Sequence, residues 1–198
     1  MSPDAFMALL VFAFVSSITP GPNNVMLLAS GVNFGFRRTV PHMLGIGIGF
    51  IVLLLAVGLG LGAALTAYPP LHLALKVAGA AYLVYLAWRI AMSRSLADRS
   101  GAAARPMTFL EAAAFQWVNP KAWVMAVTAM ALYTSTEAPL VSMLMVALAF
   151  GVVNLPCVSS WAAFGTAMRG FLSDPARLKW FNIVMGVLLA ASLWPMLK

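Results

Sequence analysis

Apolar residues run along this chain in long blocks, not in the narrow stripe of a helix that buries only one face. Six blocks can be read, with polar or charged residues between them. They cover about Asp4 to Gly31, Pro41 to Thr66, Leu71 to Met92, Thr108 to Tyr133, Pro139 to Met168 and Leu178 to Leu197. Each holds about 20 or more mainly apolar residues, enough to cross a hydrocarbon core about 30 Å thick. The pattern predicts an all-α membrane protein with six transmembrane helices. Two blocks are interrupted near their middle, the first at Thr19-Pro20-Gly21-Pro22-Asn23 and the fourth at Asn119-Pro120-Lys121. The fifth carries Asn154 and Pro156 inside it, and the second is rich in glycine.

Composition agrees, since 63% of residues are hydrophobic and 9% charged, against about 25% charged in soluble domains. No block is left over for a separate soluble domain, so residues 1–198 are expected to form one transmembrane unit. The net charge of +7 does not signal nucleic acid, because no solvated basic face exists to carry it. Among the 12 basic residues, all but Lys76, Lys121 and Lys198 fall in or beside loops 1–2, 3–4 and 5–6. Those are Arg37 and Arg38, then Arg89, Arg94, Arg99 and Arg105, then Arg169, Arg177 and Lys179. Such loops face the cytoplasm, which puts both termini outside. The first block runs past the length of a signal peptide, with Asp4 where a basic residue would stand, and is expected to be a retained helix. Cys157 is the only cysteine, which excludes an internal disulfide.

Residues 93–106 read as a cytoplasmic linker between halves at about 1–92 and 107–198. Three helices per half force the halves into opposite orientations. The second half echoes the first in order: a proline break, a glycine-bearing helix and a helix ending in Trp, with Gly79 through Trp88 resembling Gly186 through Trp194. This is the pattern of an inverted repeat.

Proline has no N–H, so Pro20 frees the carbonyl of Ser16, Pro22 that of Ile18 and Pro120 that of Gln116. Gly21 lets the chain turn away or another helix approach. Helix starts after each break favour an anion, and helix ends before it favour a cation. A zwitterionic amino acid carries both charges, and Thr19, Asn23, Asn24, Asn119 and Gln116 add donors and acceptors. The alternative is that the prolines merely kink the helices and nearby polar groups repair the bonding. Lys121, deep in its block, either meets a substrate carboxylate or caps freed carbonyls. Glu111 is a candidate proton relay or a solvated helix-end carboxylate, and His42, beside Pro41, is expected at the membrane interface. Gly45, Gly49, Gly58 and Gly62 form small-xxx-small pairs for close packing within the chain or in a homo-oligomer. Trp117 and Trp123 flank the second break as candidate cavity walls. No metalloprotease, phosphate-loop or Cys/His metal motif occurs, so neither an enzyme nor a cofactor is expected.

Three stretches carry a family resemblance: Thr19-Pro20-Gly21-Pro22-Asn23, Gly31-Val-Asn-Phe-Gly35-Phe-Arg37-Arg38 leading into Gly45-Ile-Gly47, and Gln116-Trp-Val-Asn119-Pro120-Lys121-Ala122. Together they resemble the lysine exporter family (LysE/RhtB type) of bacterial amino-acid exporters, over essentially the whole chain. The resemblance implies a plasma-membrane exporter of amino acids or related small metabolites, driven by the proton motive force. Asn23 stands where many members have Asp, which removes a candidate cation ligand and speaks against a basic substrate. The expected substrate site lies between the two breaks. It comprises Thr19, Pro20, Gly21, Pro22, Asn23, Asn119, Pro120 and Lys121, with Glu111 a candidate for proton coupling. A channel and a non-transporting scaffold subunit are the alternatives.

Overall fold

The computed structural model describes residues 1–93 and 105–194. Most of the expected linker, with Arg94, Asp98 and Arg99, and the end of the last block at Leu197 lie outside the described residues. Within them the chain is all helix and turn, without a strand. The first block is α1 (Pro3–Ile18) and α2 (Pro22–Phe34), which meet at a bend of 54°. The second is α3 (Phe36–Ala56), a π-helical turn at Val57–Leu61 and α4 (Gly62–Ala67), and the third is α5 (Pro69–Ala91). The fourth is α6 (Phe109–Phe115) and α7 (Pro120–Tyr133), the fifth α8 (Pro139–Ala167) and the sixth α9 (Pro175–Ala191).

Proline sets most of these starts. Its missing N–H costs nothing in a helix's first turn, and its fixed φ suits one. Pro3, Pro22, Pro69, Pro120, Pro139 and Pro175 each open a helix. Asn119 and Asp174 precede two of them as caps, accepting from Lys121 N–H at 3.1 Å and Arg177 N–H at 2.9 Å. Pro41 does not begin the second block. The helix starts five residues earlier, at Phe36, because Gly35 alone makes the turn, with φ 81°. Arg37 and Arg38 therefore lie on the first turn of α3 and not in a loop. The π-helical turn has a local cause in Gly60, whose φ of 103° is open to glycine and strained for other residues.

Among the described residues two continuous stretches, Phe36–Ala64 and Pro139–Ala167, are long and apolar enough to cross a membrane, and the bent α1–α2 pair is a third if its two helices form one span. Helices α6 and α7, at 7 and 14 residues, fall short singly. Helix α8 packs along α1, α2 and α3; α3 packs on α6, and α5 on α9. Phe50 of α3 meets Phe150 of α8 edge to face at 5.3 Å, at the centre of an apolar cluster that also holds Leu9, Leu53 and Ala126. The tightest approach is between α2 and α8. A Cβ on Gly31 would strike the carbonyl oxygen of Ala162, and one on Gly165 that of Leu28. Gly45 and Gly49 likewise admit the backbone of α6 at Phe109 and Ala113. That close packing is within the chain. Gly58 abuts Met143 and Met130, whereas Gly62 makes only ordinary contacts.

Candidate functional site

The two proline breaks face each other across the centre of the bundle. Lys121, on the first turn of α7, reaches to the end of α1. Its Nζ donates to Thr19 O at 2.7 Å and Thr19 Oγ1 at 2.9 Å, and lies 3.4 Å from Pro20 O. Gly21 is extended, with φ −175°, a conformation open to any residue. Its value is space, because a Cβ there would sit 2.6 Å from Lys121 Cδ. Asn23 and Gln116 form a reciprocal amide pair between the breaks, Asn23 Nδ2 to Gln116 Oε1 at 2.9 Å and Gln116 Nε2 to Asn23 Oδ1 at 3.2 Å.

The carbonyls freed by proline have partners. Ser16 O accepts from Thr19 Oγ1 at 3.1 Å, Ile18 O from Trp161 Nε1 at 3.0 Å, and Gln116 O from Asn119 N–H at 3.4 Å. Asn24 Nδ2 donates to both Ser17 O and Thr19 O at 2.8 Å. The expectation of bare carbonyls at the end of α1 is thereby corrected: Ser16 O and Ile18 O take neutral donors, and the ammonium of Lys121 sits on Thr19 O beyond them. Repair is nonetheless lopsided at the helix starts. Asn119 caps α7, whereas α2 has no side-chain cap, so its first N–H groups remain an anion-favouring end.

A small pocket of about 30 Å³ lies between the breaks, lined by Gly21, Asn23, Asn24, Asn119, Lys121 and Asn154 among others. Asn154 of α8 donates from Nδ2 to Ser17 Oγ at 3.1 Å, and its Oδ1 is buried without a partner. Trp117 and Trp123 do not line this pocket; the Trp123 indole donates to Trp117 O at 2.8 Å and braces the turn. Trp161, Asn154 and Ser17 are the site residues that reading the sequence missed. Asn154 left a trace, as a polar residue inside an apolar helix, but nothing local ties Trp161 to a carbonyl on α1.

Asn24 does for the first break what a helical N–H would otherwise do. Replacing it by Leu, of similar size, leaves the buried Ser17 O without a donor, at about 1–3 kcal/mol, while Thr19 O keeps the ammonium of Lys121. Asn24→Leu is expected to lower stability by about 1–3 kcal/mol in detergent thermal melts. An unchanged melting temperature would show that Asn24 does not hold the break.

Glu111 stands apart from the breaks. It completes a capping box with Thr108, accepting from its N–H at 2.7 Å and Oγ1 at 3.0 Å. It also takes both guanidinium nitrogens of Arg105 at 2.7 Å, which holds that guanidinium above its usual pKa. His42 is buried within the protein, 1% exposed, on α3, which begins at Phe36. Among the described residues no cluster of three or more His, Cys, Asp or Glu is placed to hold a metal.

Apolar helices interrupted by facing, polar proline breaks are the architecture of a membrane transporter. The chain belongs to the LysE type translocator family, whose pattern matches residues 14–191. It is 32% identical over 190 residues to the cysteine/O-acetylserine efflux protein of Escherichia coli (strain K12), covering 96% of this chain and 95% of that one. The proteins of the same name from Shigella sonnei (strain Ss046) and Shigella flexneri match at the same identity and coverage. No solved structure matches the chain.

Proposed function

We propose that this protein exports small neutral amino acids or their derivatives across the bacterial inner membrane, binding them between the breaks of α1–α2 and α6–α7. The observation that carries the reading is Lys121 Nζ against Thr19 O at 2.7 Å, a cation from the second broken segment seated on the first. With that ammonium already engaged by carbonyls, the site favours a carboxylate, aided by the uncapped start of α2. The unpartnered Oδ1 of Asn154 supplies an acceptor for the substrate ammonium. Asn23 is uncharged and contributes nothing to hold a basic side chain. Thr19, Asn119 and Lys121 touch substrate in this reading, while Pro20, Pro22 and Pro120 shape the backbone and Gly21 keeps the approach open.

Six spans in two inverted halves are supported by part of the packing: exchanging the halves maps the α1–α8 contact onto α6–α3 and returns α5–α9 and α3–α8 to themselves, whereas the extensive α2–α8 contact maps onto a much smaller α7–α3 one. Alternating access is then one half rocking on the other, which parts Asn23 from Gln116. The basic loops put the cytoplasm at the C-terminal end of α2 and both termini outside. The similarity to cysteine/O-acetylserine efflux proteins points to substrates of that size.

We also propose proton drive. Glu111, joined to Arg105 on the cytoplasmic side, is the candidate carrier. The test is transport into inside-out vesicles together with intracellular and extracellular metabolite profiles of cells with and without the protein. Saturable, trans-stimulated exchange of cysteine or O-acetylserine is expected. Flux without saturation would indicate a channel, and no flux a scaffold. In the same vesicles Glu111→Gln is expected to keep exchange and lose accumulation at least tenfold. Full accumulation by Glu111→Gln would remove it from coupling.

A further inference from the structure

The turn between α2 and α3 meets the segment joining α8 to α9 on the basic-loop side. Val32 of α2, Leu172 of the short 3-10 turn at Phe171–Ser173 and Leu178 of α9 form a buried apolar cluster that holds them together. Basic residues stand around it: Arg37 and Arg38 on the first turn of α3, Arg169 just after α8, and Arg177 and Lys179 on α9. Arg169 lies directly on the α2–α3 turn, its Nη1 2.9 Å from where a Cβ on Gly35 would stand. Arg38 leans over the ring of the preceding Phe34, with Cζ 5.7 Å from the centroid. Two guanidinium groups from segments far apart in the chain thus flank one glycine turn.

None of these cations has an acidic partner. Among the described residues the one ion pair is that of Arg105 with Glu111. Asp174, the carboxylate nearest in sequence, caps α9 by accepting from Arg177 N–H. The Arg177 guanidinium lies 4.6 Å from the Phe171 ring and donates to Phe171 O at 3.4 Å, and Lys179 lies 5.9 Å from the Trp180 ring. A guanidinium carries five N–H donors in a fork that fits a phosphate through two parallel bonds. Those of Arg38 and Arg169 are not spent within the protein. Exposed Phe36, Phe171 and Trp180 stand among the same basic residues. Aromatic and basic side chains together mark the headgroup level of a bilayer, where unpaired positive charge complements an anionic lipid.

We propose that this patch binds the phosphate of an anionic phospholipid, gripped by Arg38 and Arg169, with Arg37, Arg177 and Lys179 adding charge. Arg38 belongs to the first three-helix half and Arg169 to the second, so the lipid ties the halves together on this side. The proposal rests on the membrane reading of the helices and not on the substrate site between the breaks.

The test is thermal melting of the purified protein in neutral detergent, titrated with phosphatidylglycerol or with phosphatidylcholine of the same acyl chains. Phosphatidylglycerol is expected to raise the melting temperature saturably, as a ligand of the folded state does, and phosphatidylcholine to leave it unchanged. Arg38→Gln combined with Arg169→Gln is expected to raise the half-effective phosphatidylglycerol concentration at least about tenfold. Arg37→Gln, at an exposed side chain, is expected to raise it at least about threefold, so the test stands if the double variant fails to fold. Lys76→Gln, near the other end of α5, stays within about twofold of the parent. Equal stabilisation by both lipids overturns the proposal, as does a parent-like response in the double variant or, where that does not fold, in Arg37→Gln. Inorganic phosphate is expected to have no effect; stabilisation by phosphate as strong as by the lipid would assign the patch to a free anion and overturn the lipid. Lys121→Ala keeps the lipid response. Export lost with that response intact counts against the site between the breaks alone, and a missing response in a parent that exports counts against the lipid alone.

Discussion

Lys121→Ala is expected to reduce export by about 100-fold or more in kcat/KM while the protein still inserts and folds. The side chain donates to Thr19 O and Thr19 Oγ1, and charge-assisted hydrogen bonds are worth about 1.5–3 kcal/mol each. Two such bonds, with the loss of the site's positive charge toward a carboxylate, correspond to roughly 100-fold at 1.4 kcal/mol per decade. Asn119→Ala, which uncaps α7 beside Lys121, should cost less, about fivefold, since a cap is worth about 1 kcal/mol and its loss only loosens the lysine. Counterflow in vesicles measures both. Normal export by Asn119→Ala and Lys121→Ala together would remove the breaks as the substrate site. Gly21→Ala gives an independent check. Its Cβ would meet the Lys121 stem at 2.6 Å, so it should impair export by shifting the ammonium without deleting it.

Gly165→Val is expected to have the largest effect on stability. A side chain there, or at Gly31, meets backbone carbonyl oxygen and not the movable end of a side chain. Helices α2 and α8 would have to separate along their whole contact, and overpacking of this kind costs about 1–3 kcal/mol or more. Gly31→Val and Gly165→Val should each lose at least about 3 kcal/mol, a fall on the order of 10 °C in detergent melts for a chain of this size. Gly47→Ala is the control. Nothing lies within 4 Å of a Cβ there, and alanine is favoured over glycine by about 1 kcal/mol within a helix. If Gly165→Val melts like Gly47→Ala, α2 and α8 do not pack as closely as described.

How much of this was legible beforehand differs from residue to residue. The breaks at Pro20 and Pro120 were legible because a missing N–H is a property of the residue itself. The capping box of Thr108 and Glu111 has an equally local cause, although the sequence alone suggested Glu111 only as a proton relay or a solvated helix-end carboxylate. The start of α3 was not legible: Pro41 favours a helix start, yet it stands inside α3, and the turn at Gly35 decided the boundary. The burial of His42 was not legible either, since it depends on the helices packed around it.

The sequence by itself determined the medium, the helical blocks, the two breaks and the family, because long apolar runs, prolines and the motifs around them act through neighbours in the chain. Tertiary structure alone decided how the breaks are satisfied. Lys121 seated on Thr19, Trp161 on Ile18 and Asn154 beside Ser17 join residues more than 100 positions apart. Helices apolar on nearly every side carry little periodic signal of which face turns toward which neighbour. The same ambiguity hid the contact of Gly31 with α8 and the burial of His42, and it was resolved only where the backbones approach closely enough for a single Cβ to matter.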